Sequence, residues 1–313
     1  MKDYVFGLDI GGMSVKIGLF KGEELIEKFN IKTNTDNKGE NILPSTVAKI
    51  RCIMAEKGID KDSVKGIGIG VPGAIIHRGV AKQAVNINWE NVDVKGYVEG
   101  ELGLLTLVAN DANVAALGEM WKGDFHGDNV ALFTLGTGVG GGIIVNGKIV
   151  EGTAGSGGEV GHFPIVDEDL PWTCGCGNKR CVEQLCAAPG LVKQAEIALV
   201  EDDQDSSLRL MDKIEAKDVL DQAKNGDKIA LKVVDQYTYY LGKTLAIVAS
   251  ITNPSVFIIG GGVSNAGRFL LDKIEDNYKK LAFIGASNAD VVQAKLGNDA
   301  GIYGAAKMII DEK

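Results

Sequence analysis

A glycine-rich stretch near the start of the chain decides the fold: Tyr4-Val-Phe-Gly-Leu-Asp9-Ile-Gly11-Gly12-Met13-Ser14-Val-Lys16-Ile-Gly-Leu-Phe20. This pattern predicts a strand rich in β-branched and aromatic residues, then a turn of glycines, then a second strand. A turn that lacks Cβ atoms can present its backbone N–H groups to a phosphate at close range. The alternative interpretation is a tight hairpin that binds no ligand.

The same pattern returns in the middle of the chain, in Val130-Ala-Leu-Phe-Thr134-Leu-Gly136-Thr137-Gly138-Val-Gly140-Gly-Gly142-Ile-Ile-Val145. A polar tip follows the second strand of each copy, Lys21-Gly22 in the first and Asn146-Gly147 in the second. Asn-Gly is a strong signal for a two-residue hairpin turn. Because one such stretch opens each half of the chain, the repeat favours a phosphate-binding clamp over two hairpins without a ligand.

The remaining sequence alternates between predicted strands and predicted helices. Hydrophobic spacing predicts helices over 40–57, 112–121, 189–200 and 227–251. A further helix is predicted directly after Gly260-Gly-Gly262, and a last helix from about 298–299. Short β-branched runs predict strands over 66–71, 105–109, 256–259 and 291–294. Hairpin strands combined with this alternation imply mixed sheets with helices packed on them.

Composition restricts the classes of partner. The chain has 313 residues, enough for two domains of ordinary size, and its 33 basic and 42 acidic residues give a net charge of −9. An acidic chain without a basic run is a poor binder of nucleic acid or of membrane surfaces. No apolar run reaches the ~18–20 residues of a membrane span, and no signal peptide is visible, so we expect a cytoplasmic protein.

Three of the five cysteines lie in one short segment, Cys174-Gly-Cys176-Gly-Asn-Lys-Arg180-Cys181-Val-Glu183, which follows Glu159-Val-Gly-His162. Three thiolates and one imidazole form a closed tetrahedral set that Zn²⁺ prefers. The sequence therefore predicts a structural zinc ion bound by His162, Cys174, Cys176 and Cys181, with reduced unligated thiols as the alternative. Cys52 and Cys186 are expected to be ordinary buried small residues.

Several motifs carry a family resemblance. Asp9-Ile-Gly11-Gly12 resembles the phosphate-1 turn of the actin and sugar-kinase fold, Leu135-Gly-Thr137-Gly138 resembles its phosphate-2 turn, and Ile258-Ile-Gly-Gly261-Gly262-Val-Ser264 resembles its adenosine segment. With Asn110-Asp-Ala-Asn-Val-Ala-Ala-Leu-Gly-Glu and the cysteine segment, residues 4–308 resemble the ROK family (repressors, open reading frames, kinases), and within it the bacterial glucose kinases. Two positions depart from the family pattern, Met13 in place of Thr and Arg180 in place of Gly.

The resemblance implies an α/β fold, namely the two-lobed actin- and hexokinase-like (ribonuclease H-like) ATPase fold, with mixed sheets and an interdomain cleft. The small N-terminal lobe is expected to comprise 1–111 and 299–313. The large lobe, 112–298, is expected to carry the nucleotide-binding segment and the zinc loop. ATP with Mg²⁺ as cofactor and a homodimer or higher homo-oligomer are further implications of the resemblance.

The resemblance also assigns roles to individual residues. Asp111 is expected to be the catalytic base, and the sugar is expected to contact Asn86, Asn110, Asp111, Glu159, His162 and Glu183. The nucleotide is expected to contact Asp9, Gly11, Gly12, Met13, Ser14, Lys16, Thr137, Gly138, Gly261 and Gly262, with Asp9 reaching Mg²⁺ through water. From local sequence alone, Asp111 equally fits a helix N-cap, and Lys16 better fits a solvated strand residue. Trp89 is expected to pack against its loop rather than stack on the sugar.

The expected function is ATP-dependent phosphorylation of a hexose at its 6-hydroxyl, with glucose as the first candidate. Alternatives are a kinase for N-acetylmannosamine, fructose, allose or a β-glucoside, a sugar-responsive repressor, and an actin- or chaperone-like ATPase. A repressor needs a helix-turn-helix module, and only three residues precede the first predicted strand. A Rossmann dehydrogenase is excluded because Gly260-Gly-Gly262 is not Gly-x-Gly-x-x-Gly and no acidic residue follows at about 20 positions.

Overall fold

The computed structural model describes residues 2–77, 79–125 and 127–312. Packing divides the chain into two units. The first unit comprises Met1–Phe125, Gly142–Gly158 and Leu296–Lys313. The second unit comprises His126–Gly141 and Glu159–Lys295.

The first unit is built on a five-stranded sheet with the order β3-β2-β1-β4-β8. Its strands are β1 (Tyr4–Ile10), β2 (Ser14–Lys21), β3 (Glu24–Lys32), β4 (Val64–Val71) and β8 (Thr106–Asn110). The first three strands are antiparallel neighbours, whereas β1, β4 and β8 are parallel. The sheet is therefore mixed, as the sequence predicts.

Among its described residues, the helices of this unit are α1 (Asp36–Gly39), α2 (Ile42–Lys57), α3 (Val94–Leu102), α4 (Asp111–Lys122) and α10 (Ala300–Asp311). The single turn α1 contains three residues with positive φ, Asn37, Lys38 and Gly39. Helix α10 approaches β4 closely at Gly68, where a Cβ atom would overlap the backbone of Ala305. Glycine in this strand thus brings the last helix onto the sheet.

A small three-stranded antiparallel sheet with the order β5-β6-β7 is also part of the first unit. Its strands are β5 (Ala74–Ile76), β6 (Val80–Ala84) and β7 (Trp89–Asp93). The sequence does not predict this sheet, because its strands are short and mix polar with apolar residues.

The second five-stranded sheet has the order β11-β10-β9-β12-β13. Its strands are β9 (Val130–Leu135), β10 (Val139–Val145), β11 (Lys148–Ile149), β12 (Val256–Gly260) and β13 (Asp290–Gln293). Strand β12 pairs in parallel with β9 and with β13, and β10 forms an antiparallel hairpin with β11. The predicted hairpin at Asn146-Gly147 is confirmed.

The helices of the second unit are α5 (Val182–Cys186), α6 (Ala188–Glu201), α7 (Ala216–Lys224), α8 (Lys228–Thr252) and α9 (Arg268–Leu281). The sequence predicts a helix directly after Gly260-Gly-Gly262. Instead, a short 3₁₀ helix, Gly262–Ala266, comes first, and α9 begins only at Arg268. Gly267, with φ of +69°, separates the two elements.

The packing units differ in extent from the predicted lobes 1–111 with 299–313 and 112–298. Helix α4 belongs to the first unit because Gly118 on α4 lets α10 approach so closely that a Cβ atom would overlap the carbonyl of Ala300.

The two cysteines outside the predicted zinc site differ in burial. Cys186 is buried as predicted, but the prediction for Cys52 is wrong, since this thiol lies on the exposed face of α2 near Glu56.

Among the described residues, no helix combines the length and the apolar composition needed to cross a membrane.

Candidate functional site

The first glycine turn lies between β1 and β2 of the first unit, and backbone contacts hold it closed. The Gly11 N–H donates to the Ser14 carbonyl over 3.0 Å, and the Thr33 hydroxyl donates to the Gly11 carbonyl over 2.6 Å. The Thr33 N–H donates to the Met13 carbonyl over 3.1 Å. A Cβ atom on Gly12 would lie 3.1 Å from the Asn86 carbonyl, so the predicted sugar loop is a direct neighbour of this turn.

Lys16 is partnered rather than simply solvated, which corrects the favoured sequence interpretation. Its ammonium donates to Asp9 Oδ2 over 3.1 Å and to the Asn298 carbonyl over 2.9 Å. The Lys16 side chain is 32% exposed and that of Asp9 is 20% exposed. A cation and an anion thus lie together beside the glycine turn.

Met13 projects from this turn with 88% of its surface exposed. Its side chain supplies no hydroxyl, and the neighbouring Ser14 is half-buried at the start of β2. The polar groups that the turn offers are therefore mainly those of its backbone.

Asn110 and Asp111 lie where β8 ends and α4 begins. Asn110 caps α4, because its Oδ1 accepts the Asn113 N–H over 3.1 Å while its Nδ2 donates to the Gly73 carbonyl over 3.1 Å. Asp111 is the first residue of the helix, and its Oδ1 accepts the Ala112 N–H over 2.9 Å. The N-cap role that local sequence allows for Asp111 therefore belongs to Asn110, and the Asp111 carboxylate is half-buried at the strand end.

Asn113 holds this corner together, although the sequence analysis gives it no role. Its side chain is buried, donates to the Gly157 carbonyl over 3.1 Å and accepts the Ile143 N–H over 3.3 Å. It thereby joins α4 to β10 and to the segment that leads into Glu159. A polar residue on an otherwise apolar helix face is the only sequence signal for it.

Replacing Asn113 with Ala is expected to lower the free energy of unfolding by about 2–3 kcal/mol, because a buried donor and acceptor lose their partner. Chemical denaturation followed by circular dichroism measures this change. Asn30→Ala, on an exposed position of β3, is the matched control and should change stability by less than about 0.5 kcal/mol. Equal losses in the two variants would contradict the bracing role of Asn113.

The predicted sugar loop contains Asn86 in a single 3₁₀ turn, Val85–Ile87, and the Asn86 side chain is exposed. Trp89 is only 3% exposed, and its Nε1 donates to the Gly39 carbonyl over 3.1 Å. Trp89 is therefore buried, and its hydrogen bond joins the start of β7, next to the loop that carries Asn86, to the end of α1.

The second glycine turn, Gly136–Gly138, connects β9 and β10. The Gly136 N–H donates to the Gly138 carbonyl over 3.0 Å, and the Gly136 carbonyl accepts the Ala188 N–H over 2.8 Å. Gly261 has φ of +81°, and a Cβ atom on it would overlap the backbone of Leu135 at the end of β9. The predicted adenosine segment therefore lies against the strand that leads into the turn.

A cavity of about 470 Å³ lies in the second unit beside this turn. Its lining combines the glycine turn, the 3₁₀ helix and α7, through Gly136, Thr137, Ala188, Glu215, Ala216, Lys217, Leu220, Asp221, Lys224, Gly262, Val263, Asn265 and Ala266. Thr137 and Gly262 are predicted nucleotide contacts, whereas the sequence does not predict a role for any of the α7 residues. Their charged composition is typical of a solvated helix, and only tertiary packing brings them to the cavity.

The four predicted zinc ligands are brought together in the second unit. One ligand atom from each of His162, Cys174, Cys176 and Cys181 can be chosen so that all lie within 4.8 Å of one another. The Cys174 Sγ lies 3.6 Å from His162 Nδ1, and the Cys176 and Cys181 sulfurs are 3.5 Å apart. A tetrahedral zinc site with bonds of about 2.3 Å to sulfur and about 2.0 Å to nitrogen separates its ligand atoms by about 3.5–3.8 Å, so the donor set fits Zn²⁺.

Burial raises the pKa of the Cys174 and Cys181 thiols, and a metal ion would have to displace their protons on binding.

The two ring nitrogens of His162 have different neighbours. Nδ1 lies beside Cys174 Sγ, and Nε2 lies 3.9 Å from Glu159 Oε2. The spacing of three residues between Glu159 and His162 thus places their side chains next to each other. A His that offers one nitrogen to a metal can donate from the other.

Arg180 supports the cysteine segment from outside. Its guanidinium donates to the Asp167 carbonyl over 3.1 Å and lies 3.2 Å from Asp169 Oδ1. The Arg180 carbonyl accepts the Ile165 N–H over 2.8 Å, and Arg180 is not among the residues with positive φ. Arginine at this position is therefore compatible with the backbone geometry of the segment.

The comparisons with known proteins agree with this arrangement. The family model of the ROK family matches residues 5–312. The chain belongs to the ROK family. A glucokinase from Halalkalibacterium halodurans is 39% identical over 310 residues, which cover 97% of this chain and 94% of that protein.

Two solved structures of the family are similar over nearly the whole chain. A ROK hexokinase from Thermus thermophilus is 29% identical with a TM-score of 0.82, and the match covers 97% of this chain and 96% of that one. A ROK family glucokinase from Streptomyces griseus, in complex with glucose and AMPPNP, is 35% identical with a TM-score of 0.72 and coverage of 97% and 98%. The predicted actin-like ATPase fold with mixed sheets is confirmed.

Proposed function

We propose that this protein is a hexose kinase that transfers the γ-phosphoryl group of ATP to the 6-hydroxyl of glucose. The observation that carries the proposal is its similarity over nearly the full length to glucokinases, one of which is similar in structure and was crystallised with glucose and AMPPNP. The described chain supplies the groups that the proposal requires: two glycine turns that follow β1 and β9, and a carboxylate, Asp111, at the start of α4.

Asp111 is proposed to be the catalytic base that takes the proton of the sugar hydroxyl as its oxygen attacks the phosphorus. A carboxylate at the first position of a helix that Asn110 already caps is held in one place, which such proton transfer requires. Asn86, Asn110, Glu159, His162 and Glu183 are proposed to bind the sugar hydroxyls. Phosphoryl transfer depends mainly on positioning and on charge stabilisation, so these contacts serve to orient the acceptor.

The two glycine turns are proposed to bind the phosphates of the nucleotide through their backbone N–H groups. The contacts of the first turn come from Gly11, Gly12, Met13 and Ser14 with Lys16, and those of the second come from Thr137 and Gly138. Gly261 and Gly262 are proposed to contact the nucleotide as well, and Gly262 lines the cavity of about 470 Å³, which is proposed to hold the nucleoside. Its apolar members, such as Leu220 and Val263, suit the faces of a nucleobase.

Two metal ions complete the proposal. Asp9 would hold Mg²⁺ through water, since a carboxylate beside the phosphate turn is a hard oxygen ligand and Mg²⁺ keeps several waters. Mg²⁺ bound with ATP offsets the negative charge of the transferred phosphoryl group. The Zn²⁺ of the cysteine segment has a closed ligand set and would be structural. A homo-oligomer and a cytoplasmic location remain predictions from the sequence.

An ADP-release assay across a panel of hexoses, with a no-sugar blank, tests the proposed function. We expect release that depends on both ATP and glucose. A clear preference for N-acetylmannosamine, fructose, allose or a β-glucoside would support the kinase activity but would contradict glucose as the phosphoryl acceptor. Sugar binding without any ADP release would contradict the enzymatic proposal and favour a sugar-sensing regulator.

Replacing Ala216 with Trp is expected to raise the KM for ATP about tenfold, a loss of about 1.4 kcal/mol, because the indole would fill the cavity beside the second turn. The KM for glucose should change little. Ala282→Trp, at a half-buried position after α9 outside this cavity, is the matched control. An unchanged KM for ATP in Ala216→Trp would contradict the nucleoside assignment.

A further inference from the structure

Glu183 makes a contact that the sugar-binding role does not explain. Its Oε2 accepts the backbone N–H of Val139 over 3.1 Å. Val139 directly follows the turn Gly136–Gly138, and a Cβ atom on Gly138 would overlap the same carboxylate oxygen. The carboxylate therefore occupies the space beside the turn that a larger residue at position 138 would take.

The backbone around Glu183 fixes the same turn from two further directions. The Glu183 N–H donates to the Gly161 carbonyl over 2.8 Å, and Gly161 in turn packs so closely on Val139 that a Cβ atom would overlap the Val139 carbonyl. At the start of α6, the Ala188 N–H donates to the Gly136 carbonyl over 2.8 Å. The turn is thus contacted by Glu183 of α5 and by the first residue of α6.

The start of α5 is set by the cysteine segment. Cys181 caps the helix, and its N–H donates to Gln184 Oε1 over 3.0 Å while Gln184 Nε2 donates to the Trp172 carbonyl. Glu183 lies in the first turn of α5, two residues after the last predicted zinc ligand. The Cys174 Sγ donates to Glu183 Oε1 over 3.2 Å, while Glu183 Oε2 accepts the Val139 N–H, so the Glu183 carboxylate connects a predicted zinc ligand to the residue after the second glycine turn.

We propose that Glu183 is a positioning residue for the nucleotide: through the Val139 N–H it holds the second glycine turn in the shape that receives phosphate. A charged acceptor forms a stronger hydrogen bond to a backbone N–H than a neutral one and restrains the turn more tightly. The inference rests on the proposed function, because it takes this turn as a phosphate contact. It adds a role for Glu183 that operates before any sugar is bound.

Titration of AMPPNP with Mg²⁺ in the absence of sugar tests this role, since a residue that only contacts sugar cannot affect that affinity. Glu183→Ala is expected to weaken AMPPNP binding about tenfold, whereas Glu183→Gln, which keeps an oxygen acceptor, should stay within about threefold of wild type. Glu196→Ala, on the exposed face of α6, is the matched control and should bind normally. If Glu183→Ala does not fold, Glu183→Asp, whose shorter side chain cannot reach Val139, should show the same loss.

The zinc content of each variant is measured alongside. Weakened AMPPNP binding with zinc retained supports the inference. Normal AMPPNP affinity in Glu183→Ala with a raised KM for glucose would overturn it and leave Glu183 as a sugar contact, with the kinase proposal intact. Loss of affinity together with loss of zinc would also overturn it, because the metal site would then carry the effect. Absence of AMPPNP binding by the wild-type protein would instead contradict the proposed function itself.

Discussion

Replacing Asp111 with Asn is expected to lower kcat about 10²- to 10⁴-fold while glucose binding stays measurable. Asparagine has nearly the same shape as aspartate and keeps the Oδ1 that accepts the Ala112 N–H over 2.9 Å. The substitution removes the negative charge and the ability to take up a proton. Steady-state ADP release at saturating glucose and ATP measures kcat, and calorimetric titration with glucose measures binding.

The size of the effect separates the two roles that the sequence allows for Asp111. If the carboxylate served only the start of α4, Asp111→Asn would change stability by less than about 0.5 kcal/mol, because asparagine and aspartate are equally good at helix starts, and it would leave kcat nearly unchanged. Asn110 already accepts the Asn113 N–H over 3.1 Å at the cap position, so the structure reduces the need for Asp111 in capping. A large fall in kcat with little change in stability is therefore the expected signature of a base.

Asp93→Asn is the matched control for this prediction. Asp93 caps α3 in the same unit, and its Oδ1 accepts the Gly96 N–H over 2.8 Å. The same chemical change at a helix start without a proposed catalytic role should leave kcat within about twofold of wild type. An Asp111→Asn variant that retains more than about a tenth of the wild-type kcat would remove Asp111 from the role of base.

The sequence predicts those parts of the site whose chemistry is local. The twin glycine turns, the Asn110-Asp111 corner and the four zinc ligands each occupy a short segment, so residue type and spacing are sufficient to find them. The strand–turn–strand pattern around Gly11 and Gly12 is likewise a local property of backbone conformation. The described structure contains both predicted glycine turns, the predicted strand end at Asn110 and Asp111, and the predicted cluster of four zinc ligands.

Contacts between distant segments are what the sequence cannot supply. Ala216 on α7 lines the same cavity as Thr137 although about 80 residues separate them in the chain. Glu183 reaches Val139 across 44 positions, and the ammonium of Lys16 meets the Asn298 carbonyl across 282 positions. Such pairs depend on how helices pack on the sheets, and a single sequence holds no local signal for that packing.

Replacing Cys181 with Ala is expected to reduce the zinc content from about one ion per chain to almost none and to lower the free energy of unfolding by about 3–5 kcal/mol. The Cys181 side chain is buried, its sulfur lies 3.5 Å from that of Cys176, and its residue caps α5. Losing one ligand opens the tetrahedral site, and the remaining three ligands would bind the metal much more weakly. Metal analysis by plasma mass spectrometry and thermal unfolding measure the two effects.

Two cysteines outside the cluster provide the controls. Cys52→Ala removes an exposed thiol of the first unit and should change neither zinc content nor stability by a measurable amount, within about 0.5 kcal/mol. Cys186→Ala removes a buried thiol and should cost about 1 kcal/mol through packing alone, with zinc retained. Because Cys181 and Cys186 are both buried, a larger loss of stability in Cys181→Ala isolates the contribution of the metal.

Chelation should destabilise the wild-type protein and leave Cys181→Ala unaffected. Equal sensitivity of the two proteins to the chelator would contradict the metal site. Wild-type protein that binds no zinc after reconstitution would contradict it as well.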